Sequence, residues 1–173
     1  MKKKTLFWIA LVFTLLIFAS IIIIDKSLKI DDLANGIVSF ELAKTLDHSL
    51  AILQTWEEAD VIVFAALSLG IDYLFLVAYG SFFVLSVLLL AEKLPYGLLK
   101  KISKSVALLI VFAALLDIIE NYALIQLLID VPTQSMVLMA YYCASIKFGL
   151  LGVAAIYLLA ELIVLGLKKS GMK

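Results

Sequence analysis

The chain has 173 residues, of which 65% are hydrophobic and 16% are charged. Soluble globular domains are about half apolar, and disordered chains combine low hydrophobicity with high net charge, so this composition excludes both classes. The 14 basic and 14 acidic residues cancel, which leaves no basic field to attract nucleic acid. The composition therefore predicts a small integral membrane protein with a single membrane domain, residues 1–173, and no nucleic-acid partner.

The first predicted element is a membrane span over residues 5–24, directly after the basic start Lys2, Lys3 and Lys4. A signal peptide begins in the same way, but its apolar region covers only about 7–15 residues and ends at a small-residue cleavage pattern. The uncharged run here is longer and no such pattern follows it. We therefore expect a retained transmembrane helix.

Residues 31–58 form the one extended polar stretch, and their pattern is helical. Apolar side chains follow one stripe: Val38, Leu42, Leu46, Leu50 and Leu53. Polar side chains follow another: Glu41, Lys44, Thr45, His48 and Thr55. This predicts an amphipathic helix or helix pair in the membrane interface, with Trp56 as an anchor and a break at Asn35-Gly36. Glu41 is expected on the solvated face.

Three further spans are predicted over residues 61–91, 105–129 and 135–167. The run from Asp130 to Thr133 contains Pro132 and is typical of a tight turn, so the last two spans should pack as an antiparallel hairpin. No proline interrupts a span, which disfavours a transporter built on broken helices. The predicted fold is all-α: a bundle of four transmembrane helices, with an amphipathic extracytoplasmic segment between the first and second helices.

The lysines are distributed unevenly between the two ends of the predicted spans. Those of the N-terminus, of residues 93–104 and of the C-terminus lie on one side, whereas only Lys26, Lys29 and Lys44 lie on the other. Because positively charged loops stay in the cytoplasm, both termini are expected there. The predicted location is the cell (inner or plasma) membrane, with residues 31–58 on the outer side.

Four ionisable side chains, Asp72, Asp117, Glu120 and Lys147, fall inside the spans at similar depth. Each would cost about 2.5–3.5 kcal/mol if it were ionised and unpaired at a helix centre. Asn121 shares a helix face with the acids of the third span. We expect these five residues, called the acid–lysine cluster below, to face one another or a wet cavity. Three carboxylates exceed one ammonium, so the rest of the charge must be removed by protonation, a bound cation or water.

Other polar residues are weaker candidates. Four tyrosines are candidates for the rim of a pocket at the cluster: Tyr79, Tyr122, Tyr141 and Tyr142. Interface belts and packing explain such tyrosines as well. Cys143 is the only cysteine and His48 the only histidine, so the chain lacks the residues for a disulfide or a His-rich metal site. We expect no metal and no cofactor.

Three functions remain open. The favoured one is binding of a lipid or small amphiphile at the acid–lysine cluster, and whether the protein is also an enzyme stays open. The second is a proton- or cation-coupled channel or transporter subunit. The third is a structural or assembly subunit of a membrane complex, in which the polar groups set helix register. Membrane lipids are the expected partners, with a homo-oligomer or another membrane protein as the alternative.

Overall fold

The computed structural model describes residues 2–30, 33–95 and 97–171, and within these ranges the regular structure is entirely helical. The helices are α1 (Lys3–Asp25), α2 (Ile37–Glu41), α3 (Leu46–Glu58), α4 (Ile62–Ala91), α5 (Leu98–Ile129) and α6 (Gln134–Lys169), with a 3-10 turn over Lys26–Leu28. Four of them, α1, α4, α5 and α6, are long and apolar enough to cross a membrane. The all-α class and the four long apolar helices are therefore confirmed.

The main difference in helix ends lies before the third long helix. α5 begins at Leu98, whereas the sequence pattern placed the start at residue 105. Lys100, Lys101 and Lys104 therefore lie on the first turns of a helix and not in a loop. Lysine is a good helix former, and residues 98–104 contain no proline or glycine that would delay the start of the helix. The other ends of the long helices differ from prediction by at most two residues.

The long helices pack in chain order, α1 on α4, α4 on α5 and α5 on α6. Small side chains such as Ala113, Ala123, Ala144 and Ala154 are fully buried, and they let the helices approach closely. In the described part of the chain, α1 rests mainly on α4 and buries only Ala10 and Ile17 within its own span. A groove consequently runs between α1 and α6, with α4 along its floor.

The segment between α1 and α4 is two short helices, and its first two predicted residues, 31–32, lie outside the described residues. The predicted apolar stripe is wrong in part, because Leu42 and Leu50 are exposed while Phe40 and Ile52 are buried. The helix stops between α2 and α3, so a periodicity counted across that break does not hold. Trp56 is not an interface anchor. It is fully buried, and its indole N–H donates to the carbonyl of Leu28 at 3.1 Å.

Two polar side chains, those of Asp25 and Gln134, fix the position of this segment. The Asp25 carboxylate at the end of α1 accepts a hydrogen bond from the backbone N–H of Ile37 at 2.8 Å. Gly36, with φ +55°, lies so close to that carboxylate that a Cβ would collide with it. The Gln134 amide at the start of α6 accepts from Leu46 N–H at 2.7 Å and donates to the Lys44 carbonyl at 3.0 Å. α2 is thereby held against α5 and α6, at the outer end of the groove.

Candidate functional site

Lys147 of α6 is the centre of the acid–lysine cluster. Its ammonium donates to Asp117 Oδ1 at 2.8 Å and to Glu120 Oε1 at 2.9 Å. Both acids lie on α5, three residues apart, which places them on one helix face. All three side chains are buried, with Lys147 only 5% exposed. A buried ammonium that bridges two carboxylates is tolerated because each charge has a partner at hydrogen-bond distance.

Two further hydrogen bonds connect α4 to α5 beside this ion pair. The Tyr79 hydroxyl donates to the second oxygen of Asp117, Oδ2, at 2.7 Å. The Asn121 amide donates to Asp72 Oδ2 at 2.6 Å. The structure thus brings the five residues of the acid–lysine cluster together between α4, α5 and α6. One member of the candidate rim, Tyr79, takes part directly.

Glu41 of α2 is the member of the site that sequence reasoning missed. The solvated position expected for it is wrong, because the side chain is buried, only 8% exposed, and its Oε2 lies 4.0 Å from Lys147 Nζ. That oxygen has no hydrogen-bond partner among the described residues. Burial raises the pKa of Glu41 above its ordinary value, although the Lys147 ammonium lowers it in part. The only signal in the sequence was the break at Gly36, where the chain changes direction and α2 enters the bundle.

These groups form the polar floor of a cavity of about 420 Å³, called the acid–lysine cavity below. Glu41, Asp72, Asp117 and Lys147 line it on the polar side. The remaining walls come from α1, α2, α4 and α6 and are mainly apolar and aromatic; they include Phe18, Phe75, Phe82, Phe83, Phe148 and Leu151. A cavity of this size, apolar with a few convergent polar groups, is typical of a small-molecule site.

A second cavity of about 510 Å³ lies further along the same groove, between the start of α1 and the end of α4. It shares Phe82 and Phe83 with the acid–lysine cavity. Lys4 and Lys93 stand at its other end, and we call it the lysine-rim cavity. The neighbouring Lys3 is paired with Glu92 at 2.6 Å. The groove therefore runs from buried acids at one end to exposed lysines at the other.

The other three tyrosines of the candidate rim do not line the acid–lysine cavity. Tyr122 and Tyr142 are 50% and 54% exposed on the outer surface of the helices. Tyr122 follows Asn121 directly, and consecutive residues of a helix point in different directions, so its side chain points away from the cluster. Tyr141 is half-buried, and the Lys44 ammonium lies 5.6 Å from the centroid of its ring. It contacts the segment between α2 and α3, not the cavity.

Glu161 of α6 is a further buried acid, and it lies apart from the cluster. Fourteen residues separate it from Lys147, which is about 21 Å along a helix. The Tyr157 hydroxyl lies 2.7 Å from Glu161 Oε1 and 2.8 Å from the Leu99 carbonyl. These contacts tie α6 to the first turn of α5, and we assign them to helix packing.

No protein-family model matches the chain, and no curated protein or solved structure is similar to it. Within the described ranges, no group of three His, Cys, Asp or Glu side chains is arranged to hold a metal ion. The site offers four carboxyl groups, three of them buried and that of Asp72 partly buried, and one ammonium beside an apolar cavity.

Proposed function

We propose that this chain is a multi-pass protein of the cell (inner or plasma) membrane that binds a lipid or small amphiphile in the acid–lysine cavity. The observation that carries the proposal is the composition of that cavity, in which aromatic walls end on buried ionisable groups. A molecule with a polar head and an apolar body matches both surfaces. The path of entry is the groove between α1 and α6, through which a membrane-dissolved ligand reaches the cavity sideways.

Insertion in a membrane is supported by the surface of the long helices. Large apolar side chains are exposed along α1, among them Trp8, Phe13, Leu16 and Ile23. Apolar surface on this scale is expected against acyl chains and not against water. The lysines at the ends of the helices support an orientation with both termini in the cytoplasm and α2 and α3 outside.

The position of the polar floor also suits a membrane ligand. Asp117 is twelve residues before Ile129, and Lys147 is thirteen residues after Gln134. At 1.5 Å per residue both lie about 18–20 Å below the outer ends of their helices. A head group bound there is inside the bilayer and is covered by α2, so an amphiphile is favoured over a water-soluble ligand.

A second candidate function is a proton- or cation-coupled transport subunit. It is supported by the number of carboxyl groups and by Glu41 Oε2 and Glu120 Oε2, which have no hydrogen-bond partner among the described residues. Proton flux into liposomes that is lost in Asp117→Asn would favour this function. The third candidate, a subunit whose acids find their partners in another protein, is disfavoured because the cluster pairs within the chain.

The test fills the cavity without touching its charges. Leu151→Trp places a larger side chain on the cavity wall, whereas the matched variant Leu159→Trp changes an exposed residue on the same helix. We expect binding of a fluorescent long-chain alcohol to the purified full chain to fall at least about tenfold in Leu151→Trp and to stay unchanged in Leu159→Trp. Equal binding by the two variants would contradict the proposal.

A further inference from the structure

The hydrogen-bond donors and acceptors of the acid–lysine cavity are unequal in number. Among the described residues, Lys147 is the only cationic side chain in the lining. Its N–H groups point at Asp117 and Glu120, and Glu41 lies 4.0 Å away. The ammonium is therefore already used within the protein. What the site still offers a ligand is hydrogen-bond acceptors, because the Asp72 carboxylate accepts one hydrogen bond from an amide and Glu41 Oε2 accepts none from the described residues.

The carboxyl groups at the cavity also exceed the positive charge. Asp72, Asp117, Glu120 and Glu41 are matched by one ammonium, so full ionisation would leave three uncompensated negative charges in a buried site. The other charged groups nearby do not change this balance, because Asp25 at the end of α1 is already paired with Lys29 at 3.2 Å. Without a ligand, protons must neutralise most of the excess.

From this imbalance we infer that the natural ligand of the acid–lysine cavity is an amphiphile with a protonated amine head group, and that the head group enters in exchange for a proton. The inference rests on the proposed function and names its ligand class. In the exchange, a neutral carboxyl group of the site releases one proton to solvent, and the resulting carboxylate pairs with the alkylammonium. No covalent bond forms or breaks.

The walls of the cavity support the same ligand class. The head group would lie beside Asp72 and Glu41, where the rings of Phe75 and Tyr79 also line the space, and aromatic faces attract cations. An anionic head group would instead meet unpaired carboxyl oxygens. A neutral alcohol could use one acceptor but would leave the charge of the site unchanged.

The lysine-rim cavity defines the orientation of the ligand in the groove. Because Phe82 and Phe83 line both cavities, an apolar tail can pass from the acids into the second cavity. Lys4 and Lys93 at the far end repel a cationic head group. The ammonium head group of the ligand is therefore placed at the acids, and its tail lies along α1 and α6. The available length is about 20 Å, which is the distance along α4 from Asp72 to Ser86.

The experiment compares three probes with the same tail, namely dodecylamine, dodecanol and dodecanoate, on the full chain in neutral-lipid nanodiscs. Asp72→Asn and Glu41→Gln keep side-chain size and remove one carboxyl group each. Glu57→Gln, an exposed acid of α3, is the matched control. We expect each cavity variant to weaken dodecylamine about tenfold or more and to leave dodecanol unchanged, since a charge-assisted hydrogen bond is lost only with the amine. The control should bind as the parent does.

Calorimetry in two buffers of different ionisation enthalpy counts the protons. About one proton should be released per bound dodecylamine near neutral pH, and none per dodecanol. Dodecanol bound as tightly as dodecylamine, or dodecanoate preferred, would overturn the amine class but leave amphiphile binding in place. Tight amine binding without proton release would overturn the exchange. Failure of all three probes would overturn the proposed function itself.

Discussion

At the scale of single residues, Lys147 decides whether the buried acids can be accommodated. Its ammonium lies within 2.9 Å of carboxylate oxygens from both Asp117 and Glu120. Helical spacing is sufficient to predict that these two acids share a face with Asn121, because all three stand on one helix. It is not sufficient to predict Glu41, whose approach depends on how a short helix from another part of the chain docks.

Replacing Lys147 by methionine should be strongly destabilising. Lys147→Met keeps an unbranched side chain, one atom shorter, but leaves Asp117 and Glu120 without their shared cation. Breaking such a buried pair costs about 3–5 kcal/mol. The melting temperature in detergent should fall well below that of Lys104→Met, which changes an exposed lysine of α5. Adding Asp117→Asn and Glu120→Gln should recover much of the loss. A melting temperature equal to that of Lys104→Met would contradict the buried ion pair.

Glu41 should make stability decrease with rising pH. Burial raises the pKa of Glu41 above its ordinary value of 4.5, so the folded state holds this proton more tightly than the unfolded state does. Its contribution to stability is therefore complete below pH 4.5 and is lost as pH rises toward the folded-state pKa.

Melting temperatures of the parent and of Glu41→Gln, measured from pH about 4.5 upward through neutrality, check this effect. The variant should have the shallower decline, and the difference between the two proteins should grow with pH. Glu57→Gln serves as the control and should follow the parent curve. Parallel curves for the parent and Glu41→Gln would mean that Glu41 is solvated.

At the scale of elements, length and apolar character were enough to predict the four long helices, because a mainly apolar run of that length has few other stable forms in a membrane. The face of the segment with α2 and α3 could not be predicted in the same way. The helical periodicity is interrupted at the break between Glu41 and Leu46. The burial of the segment depends on hydrogen bonds that its backbone N–H groups donate to Asp25 and Gln134, and Gln134 lies far away in the sequence.

Gly36 should be required for the position of α2. A residue with a side chain would be forced to adopt φ +55°, and its Cβ would collide with the Asp25 carboxylate. The backbone strain and the collision together cost about 1–3 kcal/mol. Limited proteolysis should cut residues 33–60 faster in Gly36→Ala than in the parent. Gly166→Ala is the matched control, because a Cβ there meets nothing within 4 Å. Unchanged cleavage in Gly36→Ala would show that α2 is held by other contacts.

At the scale of the whole molecule, the groove between α1 and α6 is the feature that turns a polar cluster into a binding site. Hydropathy could not predict it, since hydropathy specifies which segments are helices but not which helices stay apart. The gap follows from side-chain packing: α1 buries only Ala10 and Ile17 within its own span, and it leaves Phe7, Trp8 and Phe18 on the groove. The same apolar chain with α1 against α6 would have no cavity.

Photolabelling tests this account most directly. A diazirine-bearing long-chain alcohol is added to the full chain in nanodiscs and activated, and its attachment sites are mapped by mass spectrometry. We predict labels on the cavity walls at Phe18, Phe75 and Leu151, reduced by excess unlabelled alcohol and in Leu151→Trp. Labels spread evenly over lipid-facing residues such as Leu108 and Leu159, without competition, would contradict a specific amphiphile site between α1 and α6.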